Sequence, residues 1–225
     1  MNIEFIKRLV STLILVPLAF FIFYEEKLIF LFFLMICLFI SFYEWFNMSK
    51  NNSYSILGYI FITVSFYTAY KIRYFNQTEE NHIFLFIIII CILTDIGGYI
   101  FGKIIKGPKL TKISPNKTYS GLIGSFLIPL IFFIVLHNIP LKSNFVNYTN
   151  QINQINSYLI IILISSSSQI GDLIVSYFKR ASKIKNTGNL IPGHGGLLDR
   201  IDGMIFAFPV SYILLSISFF ENILK

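Results

Sequence analysis

The chain has 225 residues, of which 55% are hydrophobic and 13% are charged, and its formal net charge is +7. A water-soluble core of this size does not need so much apolar material, so the composition excludes an ordinary soluble domain and indicates a membrane protein. The basic excess fits cytoplasmic loops and anionic lipid or phosphate partners. Because no aromatic-basic pattern for stacking on bases accompanies it, we expect no nucleic-acid partner.

Seven apolar runs are each long enough to approach the width of a bilayer. They predict helices, because in lipid the backbone N–H and C=O groups must form their hydrogen bonds within the protein. They are residues 9–24, 28–43, 54–70, 83–101, 121–137, 158–175 and 204–220. The first run could imitate a signal peptide, but no small-x-small cleavage site follows it, so we interpret it as an uncleaved span. We therefore predict an all-α polytopic membrane protein, a single integral membrane domain over residues 1–225. It would have about seven transmembrane helices, with a range of six to nine.

The distribution of Lys and Arg predicts the orientation. With the N-terminus in the cytoplasm, 13 of the 18 Lys and Arg fall on the inside, as the positive-inside rule requires. This orientation places the two most basic segments, residues 103–117 and 179–200, on the same cytoplasmic side. The Asn-rich segment 138–156 would then be an external loop.

The chain has only four aspartates, and the position of each one indicates a candidate functional role: Asp95, Asp172, Asp199 and Asp202. The first two follow long apolar runs, and a carboxylate at membrane depth costs about 2.5–3.5 kcal/mol, so it normally faces a cavity, a bundle interior or a cation. The last two share one face if a helix begins near Leu197, and two carboxylates suit a hard divalent cation. The alternative is that they offset the helix dipole and pair with Arg200.

Residues 176–202 concentrate the remaining polar chemistry. Lys179, Arg180 and Lys185 follow the sixth run, where they could anchor the helix at the membrane or bind phosphates. The glycines around His194 either let backbone N–H groups approach a ligand or only shape a turn. The side chain of His194 is either a hydrogen-bonded structural group or a phosphate contact.

A second polar patch runs over residues 97–121. Its glycines Gly97, Gly98 and Gly102 allow close helix packing. Lys117 lies between two serines and could reach a phosphate. Outside both patches, Glu44 and Trp45 close the second apolar run, and we interpret them as an anchor at the membrane interface.

The segment 176–202, SYFKRASKIKNTGNLIPGHGGLLDRID, closely resembles the long signature of the phosphatidate cytidylyltransferases, the CDP-diacylglycerol synthases. Upstream, Gln169-x-Gly171-Asp172-Leu173 leads into it as in that family. Two further segments, Asp95-x-Gly97-x-Tyr99 and Ser114-Pro115-x-Lys117-Thr118, look like family segments. We expect residues 169–202 to be the catalytic signature and residues 94–121 a supporting cytoplasmic segment.

The chain departs from the family pattern at two positions and in length. Asn186 stands where the family usually has an acid, so an oxygen ligand is kept but the charge is lost. Tyr119 stands where a Trp is common. The chain is also short for the family.

The resemblance implies transfer of CMP from CTP to phosphatidate in a bacterial plasma (inner) membrane, with the active site facing the cytoplasm. It implies dependence on Mg²⁺, with a second monovalent or divalent cation left open, and is compatible with a homodimer; CTP, phosphatidate and membrane lipids would be the partners. The implied metal ligands are Asp172, Asp199 and Asp202, with Asp95 as a second-site or structural carboxylate. Lys179 and Arg180 join the first three as catalytic residues. The implied substrate-binding residues are Lys117, Ser176, Lys185, His194, Gly195, Gly196 and Arg200.

Three rival functions fit the sequence less well. A CDP-alcohol phosphatidyltransferase needs an Asp-Gly-x-x-Ala-Arg pattern, whereas Asp202-Gly203 is followed by Met-Ile-Phe-Ala. A CTP-dependent polyprenol kinase would share a nucleotide site but is not expected to carry the whole signature. A transporter would suit Asp95 and Asp172 inside the membrane but leaves the polar segment 176–202 unexplained.

Overall fold

The structure is a computed structural model that describes residues 27–50, 55–74, 82–111, 114, 117–138, 154–190 and 195–216. These residues contain six α-helices: α1 Lys27–Ser49, α2 Ser55–Arg73, α3 His82–Ile104, α4 Tyr119–Asn138, α5 Gln154–Ala181 and α6 Leu198–Ser216. Five of them, α1 to α5, are long and apolar enough to cross a membrane. The prediction of an all-α multi-pass membrane protein is confirmed.

The second to sixth apolar runs correspond to α1 to α5, and most of these helices extend beyond the runs, as α1 does to Ser49 and α5 does over Gln154–Ala181. The first run, residues 9–24, lies outside the described residues. The seventh run was expected from residue 204, but α6 already begins at Leu198, so its first turns carry Asp199, Arg200 and Asp202. The count of seven spans and the orientation of the N-terminus stay predictions.

By their internal contacts, the described residues divide into two compact units. The first takes those of Met1–Tyr70 and Phe178–Asp202, and the second takes those of Lys71–Tyr177 and Gly203–Lys225. Helices α2, α5 and α6 each contribute residues to both. The single domain over residues 1–225 remains a prediction.

In the first unit, α1 and α2 form an antiparallel pair. At one end the indole Nε1 of Trp45 donates to the carbonyl of Ser55 over 2.9 Å. At the other end the ammonium of Lys27 lies 6.0 Å from the ring centroid of Tyr70. The indole also lies against Gly58, where a Cβ would come within 2.5 Å of Nε1, so only glycine allows this approach.

In the second unit, α3 and α4 pack through glycines. A Cβ on Gly97 would lie 2.9 Å from the carbonyl carbon of Gly124, and one on Gly121 would lie 2.7 Å from the carbonyl oxygen of Gly98. Backbones therefore touch directly, as small residues permit between membrane helices. The packing role predicted for Gly97 is confirmed, and Gly98 contributes its carbonyl oxygen to the same helix contact.

A short hairpin connects α3 to α4 and carries Lys117. The amide of Leu110 donates to the carbonyl of Lys117 over 2.8 Å, and the amide of Tyr119 donates to that of Pro108 over 3.2 Å. The hairpin starts at Lys106 and Gly107, which have φ of 59° and 117°. These left-handed residues let the chain reverse just after α3 ends.

Candidate active site

In the first unit, one lysine and two aspartates form what we call the Asp199 cluster: Lys179, Asp199 and Asp202. The ammonium of Lys179 donates to Asp199 Oδ1 over 2.8 Å and lies 3.9 Å from Asp202 Oδ2. The three side chains are only 12%, 10% and 13% exposed. Both carboxylates therefore face one largely desolvated cation, where electrostatic interactions are stronger than in water.

The second oxygen of Asp199 is held by the backbone. Asp199 Oδ2 accepts hydrogen bonds from the amides of Thr187, over 2.9 Å, and Gly196, over 3.1 Å. Burial acts to raise the pKa of Asp199. The hydrogen bond and charge of Lys179, with the two amides, outweigh this effect and hold the pKa below its usual value. Asp199 is therefore an ionised carboxylate at neutral pH.

Local backbone geometry brings this cluster together. Helix α5 ends after Lys179 because Lys183 adopts a left-handed φ of 56°, and the amide of Ile184 returns to the carbonyl of Lys179 over 2.9 Å. The chain then folds back so that Thr187 reaches Asp199. The short stretch that follows the lysine thus supplies one of the amides that hold the aspartate.

Gly195 is required beside Asp199. It has a φ of 92°, and a Cβ there would lie 2.8 Å from Asp199 Oδ2 and 3.4 Å from the Cβ and Cγ of Asn186. Only glycine combines this backbone conformation with this approach. The same contacts place Asn186, where the chain departs from the family pattern, next to the cluster.

Sequence reasoning missed the role of Glu44, whose carboxylate is buried against the N-terminus of α6. Its side chain is 2% exposed and accepts three hydrogen bonds of 2.8 Å, from Thr187 Oγ1 and the amides of Leu197 and Leu198. The interpretation of Glu44 as an interface anchor is therefore wrong. The available signal was a carboxylate at the end of an apolar helix, which must find donors when it is buried.

In the second unit, Lys117, Asp172 and Ser176 form what we call the Asp172 cluster. The ammonium of Lys117 lies 2.5 Å from Asp172 Oδ2, and the hydroxyl of Ser176 donates to Asp172 Oδ1 over 3.2 Å. The two charged side chains are 25% and 30% exposed. The hairpin thus places the predicted phosphate-binding lysine against a predicted metal ligand.

The remaining predicted site residues differ in exposure. Arg180, Lys185 and Arg200 are exposed, as is Asp95 on α3, while Gly196 is buried beside the first cluster. His194 lies outside the described residues. The structure therefore brings together part of the predicted set, in two groups that belong to different units.

A divalent cation could be held by the Asp199 cluster. Nowhere in the described ranges do three or more His, Cys, Asp or Glu side chains form a group that could hold a metal ion. Mg²⁺, however, is usually bound by one or two carboxylates together with water and substrate phosphates. The oxygens of Asp199 and Asp202 fit this pattern, and the cation that they face in this structure is the Lys179 ammonium.

Comparison with known proteins yields a family and named relatives. The model of the cytidylyltransferase family matches residues 6–82 and 56–218 in two overlapping segments. A phosphatidate cytidylyltransferase of Staphylococcus haemolyticus is 37% identical over 170 residues, covering 74% of this chain and 62% of the relative.

Two further relatives carry the same name. That of Staphylococcus saprophyticus is 34% identical over 179 residues, covering 75% of this chain and 63% of the relative. That of Rickettsia typhi is 36% identical over 175 residues, covering 75% of this chain and 73% of the relative. The aligned part of the chain thus spans less than two thirds of the length of the two staphylococcal relatives.

Proposed function

The chain belongs to the cytidylyltransferase family, and from this premise we propose that it is an enzyme that transfers CMP from CTP to phosphatidate. The products are CDP-diacylglycerol and pyrophosphate. The observation that carries the proposal is the Asp199 cluster, in which the signature residues Lys179, Asp199 and Asp202 converge. The relatives named phosphatidate cytidylyltransferase support the choice of substrates.

In the proposed reaction, a phosphate oxygen of phosphatidate attacks the α-phosphorus of CTP. The bond between this phosphorus and the oxygen bridging to the β-phosphate breaks, and its electrons leave with pyrophosphate. The lipid phosphate is already ionised near neutral pH, so no strong general base is needed. Transfers at phosphorus depend mostly on positioning and on electrostatic stabilisation, which the charged groups of this chain can supply.

Basic side chains would bind the two polyanions. Lys179 and Lys117 each pair with an aspartate and would present a fixed positive charge, and Arg180, Lys185 and Arg200 have exposed side chains. Arg can bind phosphate oxygens through two parallel hydrogen bonds, and Lys binds them as a point charge. Ser176, His194, Gly195 and Gly196 complete the proposed substrate contacts.

We propose Mg²⁺ as the cofactor. Asp199, Asp202 and Asp172 are the proposed metal ligands. When bound, the ion would neutralise phosphate charge and stabilise the leaving pyrophosphate. In this structure the Lys179 ammonium neutralises charge on both carboxylates. Asp95 remains a proposed second-site or structural carboxylate, and a second cation remains part of the proposal.

The proposal includes an orientation. With the N-terminus in the cytoplasm and seven spans, the basic segments 103–117 and 179–200 face the cytoplasm, where CTP is found. The enzyme would lie in a bacterial plasma (inner) membrane with its active site on that side. A homodimer is the proposed assembly, on the strength of the family resemblance alone.

The decisive experiment follows the label of CTP into lipid. The purified chain in phosphatidate-containing nanodiscs should convert CTP labelled at the α-phosphorus into a chloroform-soluble CMP lipid, with one pyrophosphate released per lipid labelled. CTP labelled at the γ-phosphorus should leave its label in pyrophosphate. Label from the γ position in the lipid would instead show a kinase, and no label from either position would sink the proposal.

A pair of variants ties the activity to the site. Asp199→Asn should lower turnover by about 10²–10³-fold, as expected when an electrostatic group is removed from a transfer site. Lys109→Gln changes an exposed lysine of the hairpin and should leave turnover near that of the wild type. Wild-type turnover in Asp199→Asn would remove the Asp199 cluster from the mechanism.

A further inference from the structure

The C-terminal end of α1 contacts the signature residues of the first unit through Glu44, Trp45 and Met48, and we call these three residues the platform. The hydroxyl of Ser182 donates to the carbonyl of Met48 over 2.5 Å, and the rings of Trp45 and Phe178 meet edge-on with centroids 5.2 Å apart. Glu44 adds the three hydrogen bonds described above. Contacts on this one helix end thus reach residues 178–198.

Glu44 is the most constrained group of this platform. Its carboxylate accepts from three uncharged donors, and two of them are the amides of Leu197 and Leu198 at the start of α6. The first amides of a helix have no partner within it and carry the positive end of its dipole. A buried carboxylate at this point satisfies these amides and stabilises the helix start.

Two glycines let the signature segment approach Glu44. A Cβ on Gly188 would lie 2.8 Å from Glu44 Oε1, and one on Gly196 would lie 2.5 Å from Glu44 Oε2. Gly196 also donates its amide to Asp199. Thr187 and the residues at the start of α6 therefore bond to Glu44 on one side and to Asp199 on the other.

We infer that Glu44 is a positioning residue for the transfer reaction, an inference that rests on the proposed function. It holds Thr187 and the first turn of α6, and through them it fixes where Asp199 and Asp202 stand relative to Lys179. A group displaced by about 1 Å can cost a reaction 10²-fold, so loss of this support should reach the chemistry without any contact between Glu44 and substrate.

The test compares Glu44→Gln with Ser41→Ala, a buried polar position one turn earlier on α1 whose hydroxyl donates to the carbonyl of Cys37 in the same helix. The glutamine side chain has one oxygen and one NH₂ group, so it cannot accept all three hydrogen bonds as the carboxylate does. We expect kcat for CMP transfer to fall by about 10–100-fold, with KM for CTP changed less than about threefold. Ser41→Ala should keep wild-type values for both.

Amide hydrogen exchange provides a readout that does not need activity. In Glu44→Gln, peptides covering residues 195–200 should exchange faster than in the wild type, while peptides of α2 should be unchanged. Unchanged exchange over 195–200 in a folded Glu44→Gln protein would overturn the contact itself. Faster exchange with unchanged kcat would overturn the positioning role.

A second variant covers the case in which Glu44→Gln does not fold. Thr187→Val removes one donor to Glu44 and keeps the backbone amide that bonds Asp199, so kcat should fall by a smaller factor, and Thr187→Ser should restore it. No recovery in Thr187→Ser would overturn the inference. If the wild type itself makes no CMP lipid, the proposed function fails, whereas the exchange measurement still decides whether Glu44 holds residues 195–200.

Discussion

Two lysine–aspartate pairs occur among the residues that the structure describes, and their surroundings differ. The side chains of Lys179 and Asp199 are 12% and 10% exposed. The carboxylate oxygen that does not face the lysine, Asp199 Oδ2, accepts hydrogen bonds from two backbone amides. The side chains of Lys117 and Asp172 are 25% and 30% exposed. The other carboxylate oxygen, Asp172 Oδ1, accepts a 3.2 Å hydrogen bond from the hydroxyl of Ser176. Backbone amides thus hold the aspartate of the first pair, whereas a side-chain hydroxyl holds the aspartate of the second.

The difference bears on what each pair can do. A carboxylate held by fixed amides in a nearly dry site is preorganised, because little has to move when charge develops nearby. A partly solvated pair is worth little by itself and can open at low cost. We therefore expect the Asp199 cluster to set the geometry of the reaction and the Asp172 cluster to adapt to the substrates.

The largest expected contrast is in stability when each aspartate is changed to asparagine. Asp199→Asn leaves the largely desolvated Lys179 without its closest partner; because breaking a fully buried pair costs about 3–5 kcal/mol, we expect a loss near the lower end of that range. Asp172→Asn breaks a partly exposed pair and should cost about 1 kcal/mol or less. Detergent-denaturation midpoints of the purified proteins, measured in EDTA so that no metal contributes, give both values.

Acidification provides the control for this contrast. The pKa of Asp199 is lower in the folded protein than in the unfolded chain, so its stabilisation is complete above the unfolded pKa, about 3.9, and is lost as pH falls through the folded value. The stability gap between wild type and Asp199→Asn should therefore stay constant from pH 7 to about pH 5 and close only at lower pH. A gap that closes above pH 5 would show that the carboxylate is not held as described.

Glycines with left-handed φ give the second contrast. Gly195 and Gly107 have φ of 92° and 117°, so alanine is strained at both, by about 1–2 kcal/mol. Only at Gly195 does the added Cβ meet the carboxylate of Asp199, 2.8 Å from Oδ2; at Gly107 its nearest contact is 4.0 Å away, on Ser120. Gly195→Ala should lower kcat by about 10–100-fold and Gly107→Ala by less than about threefold.

The outcome for the glycines separates strain from contact. Both variants carry similar backbone strain, but only Gly195→Ala adds a steric contact, so thermal stability should fall in both proteins and further in Gly195→Ala. If kcat falls equally in both, the approach of Gly195 to Asp199 has no role of its own, and the distinction between the two regions is lost at this position.

Much of the architecture could be predicted from the sequence, because apolar runs of membrane length leave the backbone no alternative to helices. The prediction that Asp199 and Asp202 share the first turns of a helix is confirmed, since α6 begins at Leu198. The glycine packing of α3 against α4 is confirmed as well. These features depend on local pattern, which a single sequence contains.

Contacts between distant residues could not be predicted in the same way. Glu44 and Leu198 are 154 positions apart, and nothing in their local patterns relates them. The same holds for Lys117 and Asp172, although both were singled out as site residues. The sequence showed which residues are charged, but it did not show which of them form pairs. Those contacts depend on how the chain folds back after α5 and on the hairpin before α4.

The smallest expected contrast is the response of the two pairs to salt. A double-mutant cycle on Lys117→Gln and Asp172→Asn should give a coupling of about 0.5–1 kcal/mol at low ionic strength. Raising NaCl from about 0.05 M to about 0.5 M should reduce it by half or more, because solvent ions screen partly exposed charges. The cycle on Lys179→Gln and Asp199→Asn should give a larger coupling that changes little over the same range, since buried pairs are screened much less. Equal salt dependence of the two cycles would mean that the protein does not shield the Asp199 cluster better than the Asp172 cluster. The preorganised role of Asp199 would then lose its physical basis, even if both aspartates proved necessary for turnover.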